Sequence, residues 1–229
     1  WLEKYALKSS KGKHLEFTPK DMHKRLAKEF FRIEKRYFKN ELENENVSEY
    51  GKERKPLTYT SIFNLFNDFK YLIPQGSVMS NLGTKNQFSS LSNCVVVPDV
   101  LDSYGGILFT DQQLAQLFKR RCGVGLDISG LRPIYEEVRN SAKTTSGAVS
   151  FMERFSNTTR EVAQQGRRGA LMITMDVRHP EILEFIHSKK DLNKITGANI
   201  SVKITNDFMR SVRENKSFLL QWPVDAIDP

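Results

Sequence analysis

Six consecutive residues, Gln164, Gln165, Gly166, Arg167, Arg168 and Gly169, carry the densest recognition chemistry in the chain. The glutamines can read a base edge with paired donors and acceptors. The arginines can meet phosphate or stack on a base, and the glycines leave the backbone free. A loop that reports which nucleotide is bound has this composition, and so does a solvated turn with incidental charge. Cys94 opens the apolar run CVVV. Its thiol is either a small buried hydrophobe or, with polar Ser92 and Asn93 beside it, a strand-end group facing a ligand. Cys122 stands between Arg121 and Gly123, where nearby cations favour a thiolate, although nothing in the pattern demands reactivity. Two cysteines build neither a disulfide framework nor a metal pattern, so no metal site is expected.

Three further loops have chemical potential. Asp99 and Asp102 precede a helical segment, placed either to bond ribose hydroxyls or, for Asp102 with Ser103, to cap that helix. The glycines of CGVGLDISG, residues 122–130, let a backbone approach phosphate or simply turn tightly. Arg132 is either a bidentate phosphate clamp or a surface cation.

Positioning these groups requires a scaffold. Short β-branched runs at NCVVVP, VGLDIS, ALMITMDV, NISVKI and FLLQW alternate with helical segments at DQQLAQLFKRR, GAVSFMERFSNTTREVA, HPEILEFIHSKK and NDFMRSVREN. Strands joined by helix-length connections imply βα units and a largely parallel sheet, covered on both faces, with ligands gathered at the carboxyl ends of the strands and in the loops that follow them. Before residue 73 the texture is helical. Thr18, Pro19 and Asp21 mark a helix start, and Met22, Leu26, Phe30, Ile33 and Tyr37 form one apolar stripe. Residues 39–56 read as a polar loop, followed by a second amphipathic helix with Ile62, Leu65, Phe66 and Phe69 inward.

With 39% apolar and 27% charged residues among 229, the composition is that of a globular protein. No run nears the roughly 18 to 20 apolar residues of a membrane span, and no signal-peptide pattern opens the chain, so a cytoplasmic location is expected. The net charge of +8 suits an anionic partner or a mixed-charge helix facing water. No aromatic-and-basic platform accompanies it, so direct nucleic-acid binding is not expected.

The ordered motifs PQGSVMSNLG, LSNC, DSYGG, KRRCGVGLDISGLRP, TSGAVSFMERFSNTTREVAQQGRRGALM, HPEILEFI and TGANISVKITNDFM resemble the large catalytic subunit of ribonucleotide reductase, most of all its adenosylcobalamin-dependent class. The resemblance covers essentially the whole chain and is strongest over 73–209. It implies an α/β fold: an amino-terminal helical region, residues 1–72, and about the first half of a ten-stranded α/β barrel, residues 73–229. It also implies thiyl-radical removal of hydrogen from C3′ of a ribonucleotide, with two further cysteines supplying the reducing equivalents. Cys94 matches the first of that pair. Ser77 loosely matches a hydroxyl lining the substrate pocket, Asn93 a small polar neighbour, and Cys122 with Gly123 a backbone segment bordering substrate, with no redox role for Cys122. Asp99, with Asp102 nearby, resembles the carboxylate holding the effector ribose, and Arg132 an effector-phosphate ligand. The 164–169 loop resembles the link between effector base and substrate base, with Gln164 and Arg168 its principal readers.

By the same resemblance the cofactor is adenosylcobalamin, or else a metal-containing partner subunit generates the radical. The expected partners are a ribonucleotide substrate, a deoxynucleotide or ATP effector, a complementary carboxyl-terminal half, a thioredoxin-type reductant and a second copy meeting the helix at 110–121. The sequence ends at WPVDAIDP, before the family's radical cysteine, so the chain alone is expected to be inactive. Two rivals stay open: a non-catalytic nucleotide-sensing or assembly module, and a nicotinamide-dependent oxidoreductase using GVGLDISG, which lacks GxGxxG.

Overall fold

A computed structural model describes residues 1–38, 48–85, 87–162 and 169–227. Contacts divide the chain into two compact units, Trp1–Asn93 and Cys94–Pro229.

The first unit is helical: α1 (Leu2–Tyr5), α2 (Pro19–Phe38), α3 (Glu49–Glu53), α4 (Tyr59–Phe66) and α5 (Gly76–Asn81). Asp21 Oδ2 accepts from the amides of Thr18 and Phe17, which closes the start of α2. Thr58 caps α4 by accepting from the Ser61 amide at 3.1 Å. Met22 and Leu26 are fully buried and join Ile62 and Phe66 in one core. Phe30 and Ile33, on the same stripe, stay 40% and 39% exposed, although Phe30 stacks on Phe66 and Phe31 packs against the core. Arg25 and Glu16, 11% and 6% exposed, pair at 2.6 Å. Arg25 also donates to the carbonyls of Leu82 and Met79, tying α2 to the end of α5. The expected loop at 39–56 contains the short helix α3, which Ser48 caps through the Gly51 amide at 3.2 Å.

The second unit is built from βα repeats: β1 (Cys94–Val96), α6 (Tyr104–Phe118), β2 (Gly123–Asp127), α7 (Ala148–Glu161), β3 (Leu171–Asp176), α8 (Ile182–His187), β4 (Ala198–Lys203) and α9 (Asn206–Arg213). All four strands are parallel in the order β1-β2-β3-β4. Helices α6, α7 and α8 pack on one side of the sheet, where Val124, Leu126, Leu171, Ile173 and Met175 meet Leu114, Phe118, Met152, Phe155 and Phe185. Each such buried side chain contributes about 1.5–3 kcal/mol.

Alternate residues, including Cys94, Val96, Met172 and Asn199, face the other way and are exposed. The sequence reading expected cover on both faces; the described helices cover one. Crossovers of a single hand keep their helices on one side, which is the winding of a barrel and not of a doubly wound sheet. The chain is therefore mixed α/β with barrel-type parallel winding. The expected strand FLLQW forms no ladder. Leu219 is 73% exposed, and the run is tied at its end by the Gln221 amide to the Arg178 carbonyl at 2.7 Å. Among the described residues, no helix is long and apolar enough to cross a membrane.

Candidate functional site

Cys94 is exposed at the first position of β1 and pairs in register with Gly123 of β2. A β-carbon on Gly123 would lie 3.0 Å from Cys94 Sγ and 3.3 Å from Ala170 Cβ. The glycine gives the sulfur its room. Ala170 closes the stretch that carries the Gln-Arg residues, so chain connectivity brings the end of that stretch to the thiol. Residues 164–168 lie outside the described residues. Gly169 is described, and a side chain there would press on Phe118 and Thr159 at about 3 Å.

Cys122 is 2% exposed, and its thiol donates to the Gly123 carbonyl at 3.3 Å. It packs as a small hydrophobe. Ser77 and Asn93 belong to the first unit. The Ser77 amide and hydroxyl both donate to Asn93 Oδ1, at 2.8 and 2.6 Å, while Asn93 Nδ2 donates to Gln75 Oε1 at 2.5 Å. These contacts pin the amino terminus of α5.

A second assembly lies beside α6. Asp102 accepts from Arg132 Nε at 2.6 Å and from the Arg132 amide at 3.2 Å. Arg132 Nη1 donates to the Glu137 carbonyl, and its guanidinium lies 6.0 Å from the Trp222 ring centre. Ser103 rather than Asp102 caps α6, accepting from the Gly106 amide at 3.0 Å, so Asp102 is left for Arg132. Together they line a cleft of about 800 Å³, with Tyr104, Arg139 and Thr144 also on its walls. Phe151, on the cleft wall, meets Tyr104 edge to face at 6.0 Å. One wall is a short antiparallel turn closed by the Glu137–Thr144 bridge. Guanidinium groups beside hydroxyl and aromatic side chains suit an anionic ligand with a flat ring. Asp99 stays exposed after β1 and is not among the lining residues.

Sequence reasoning missed Arg139, a lone arginine in a polar turn, together with Tyr104 and Trp222. It also missed a polar network at the far ends of the strands. Asp127 accepts from Thr174 Oγ1 at 2.6 Å, from the Ser129 amide at 2.9 Å and from Lys203 Nζ at 3.1 Å. Burial raises its proton affinity, but these donors outweigh burial and hold its carboxyl below the ordinary value. Asp176 is likewise held down, against burial, by Arg178, which grips both its oxygens. No group of three or more metal-ligating side chains occurs among the described residues.

Residues 92–227 match the family model described as ribonucleotide reductase, barrel domain. The chain belongs to the ribonucleotide reductase family. Among its relatives, it is 38% identical over 159 residues to the vitamin B12-dependent ribonucleoside-diphosphate reductase of Thermoplasma acidophilum, covering 69% of this chain and 20% of that protein. It is 34% identical over 145 residues to the protein of the same name from Mycobacterium tuberculosis, covering 62% and 20%. Against the ribonucleoside-diphosphate reductase large subunit of Dictyostelium discoideum it is 29% identical over 152 residues, covering 64% and 17%. The chain thus spans about a fifth of the length of the relatives it matches.

Proposed function

We propose that this chain is part of a ribonucleotide reductase in which Cys94 is a redox thiol and the Asp102–Arg132 cleft holds a regulatory nucleoside phosphate. One observation carries the reading. The thiol is exposed at the amino end of a parallel strand, not at the carboxyl end expected to gather ligands, in space that only a glycine at position 123 leaves open, and the Gln-Arg stretch ends beside it. Two thiols supply the electrons: the ribonucleotide loses its 2′-hydroxyl as water and gains hydrogen at C2′, while Cys94 and a second cysteine of the complete enzyme become a disulfide. Cys94 delivers its proton to the departing hydroxyl, which turns a poor leaving group into water.

In the cleft, Arg132 and Arg139 would meet the phosphates, Asp102 a sugar hydroxyl, and Tyr104 the base. A nucleotide there would select conformations of the 164–169 loop and so the base accepted near Cys94. A second copy would dock on α6, whose Leu108 and Phe109 are exposed.

The B12-dependent names of the relatives are the support for adenosylcobalamin, which would supply the radical that starts the reaction. The described residues do not fit that group. The 800 Å³ cleft is walled by carboxylate, guanidinium and hydroxyl groups, and a second cleft of about 410 Å³ has Glu153, Glu184, Asp191 and Lys194 in its lining. The steps assigned above to Cys94 do not pass through it.

The test is Cys94→Ser beside Cys122→Ser in the complete reductase. We expect C94S to lose multiple-turnover reduction by at least a thousandfold with nucleotide binding intact, and C122S to keep most of it. Unchanged turnover in C94S would end the reading.

A further inference from the structure

The loop that lines the cleft is tied at both ends by the turn that follows β3. His179 is fully buried there. Its Nε2 lies 2.9 Å from the carbonyl of Leu131, the residue before Arg132, and its Nδ1 accepts from the Glu181 amide at 3.1 Å. Nδ1 acting as acceptor places the ring proton on Nε2, so His179 donates to Leu131. Glu181, 5% exposed, accepts from the Ala148 amide at 2.7 Å. The amides of Val149 and Ile134 act on the same carboxylate, favouring its charged form.

These contacts answer a need at the start of α7. Its N-cap residue is Gly147, at φ +88°, with no side chain to satisfy the first amides of the helix. A β-carbon on Gly147 would run into the Glu181 carboxylate. Glu181 thus serves as a cap supplied from 33 residues away. His179 holds Leu131 where the loop begins, with Glu181 acting on the Ile134 amide just after it, and Glu181 holds Ala148 where the loop ends. Between these points lie Arg132, the Glu137–Thr144 bridge and Arg139.

We propose that His179 and Glu181 are positioning residues of the cleft: they fix the 132–147 loop in its binding conformation and so set the affinity for a nucleoside phosphate without touching it. The proposal rests on the reading of the cleft as a nucleotide site. A loop already ordered gives up little conformational freedom on binding, whereas one released at either end must be ordered at the expense of affinity. Loss of a helix cap is worth about a tenfold change in an equilibrium of this kind.

The test uses the intact protein, with ATP as the probe. Amide hydrogen exchange over 132–149 is measured without ligand, and ATP affinity by calorimetry, for Glu181→Ala, Glu181→Gln, His179→Gln and Arg132→Ala. E181A should speed exchange across 132–149 about tenfold and weaken ATP about tenfold, and E181Q, which keeps an acceptor oxygen, should recover part of both. H179Q should act mainly on the exchange of 132–134. R132A should lose ATP binding while exchange at 148 and 149 is unchanged, separating contact from positioning. If E181A does not fold, E181Q and H179Q are judged by the same two measurements. ATP binding that is retained and equal in wild type and E181A, with equal exchange, overturns the positioning role alone. A wild-type protein that binds no ATP overturns the reading of the cleft, and the affinity claim with it, while the exchange data still decide whether the loop is held from β3.

Discussion

At the scale of single residues, the thiol depends on a missing side chain. Gly123 is not in the left-handed region of backbone space, so alanine is conformationally allowed there; what it lacks is room, with Sγ at 3.0 Å and Ala170 Cβ at 3.3 Å from the added carbon. Because Cys94 is exposed, its side chain can turn away more easily than the sheet can part. Gly123→Ala should therefore fold, with a stability cost of about 1 kcal/mol, but displace the sulfur. The rate of Cys94 alkylation should change severalfold while circular dichroism does not, and an unchanged rate would show that the glycine is not what makes the space. Cys94 was legible as a candidate from its position before an apolar run. Its pairing with Gly123 was not, because strand register is set by tertiary packing and leaves no mark in local composition. The same holds for Asp102 and Arg132, which meet across 30 positions of sequence.

At the scale of elements, α2 is fastened to α5 by one buried cation. Arg25 answers Glu16 and the carbonyls of Met79 and Leu82 at once. Arg25→Ala should destabilise the first unit by about 3 kcal/mol in urea unfolding, since it strands a buried carboxylate. Replacing both Arg25 and Glu16 by apolar residues should cost less than R25A alone, and equal losses would show that the pair is solvated. Helices α2, α4, α6, α7, α8 and α9 could be read from sequence pattern, and β1 to β4 from β-branched runs. Helices α1, α3 and α5, of four to six residues, have too few turns to show a period. FLLQW has strand composition but no ladder among the described residues, and composition alone does not supply a neighbour.

Across the whole molecule, burial of titratable groups sets the response to acid. His23 is buried against Phe69, with Asp68 nearby, and His179 lies under the cleft loop; burial lowers the pKa of both. A group with a lowered folded value contributes stability that is complete above its unfolded value, near 6.5 for histidine, and is lost as pH falls below it. Asp127 and Asp176, also lowered, keep their contribution until pH drops under the ordinary carboxylate range. Glu181 has the opposite sign: burial, with Glu184 adding to it, raises its carboxyl, so its contribution is lost as pH rises through that raised value. Denaturant midpoints should therefore begin to fall below about pH 6.5 and fall again below about pH 4. His23→Phe should flatten the first decline for the first unit only. A midpoint constant from pH 7 to 5 would mean that the histidines are solvated.

Trp222 sits 6.0 Å from the Arg132 guanidinium and is one of two tryptophans in the chain, the other being Trp1 in the first unit. Its indole N–H is buried without a hydrogen-bond partner among the described residues. The cleft thus comes with its own optical probe: an anion that draws Arg132 away alters the field at the ring, and intrinsic emission can follow occupancy with no dye attached.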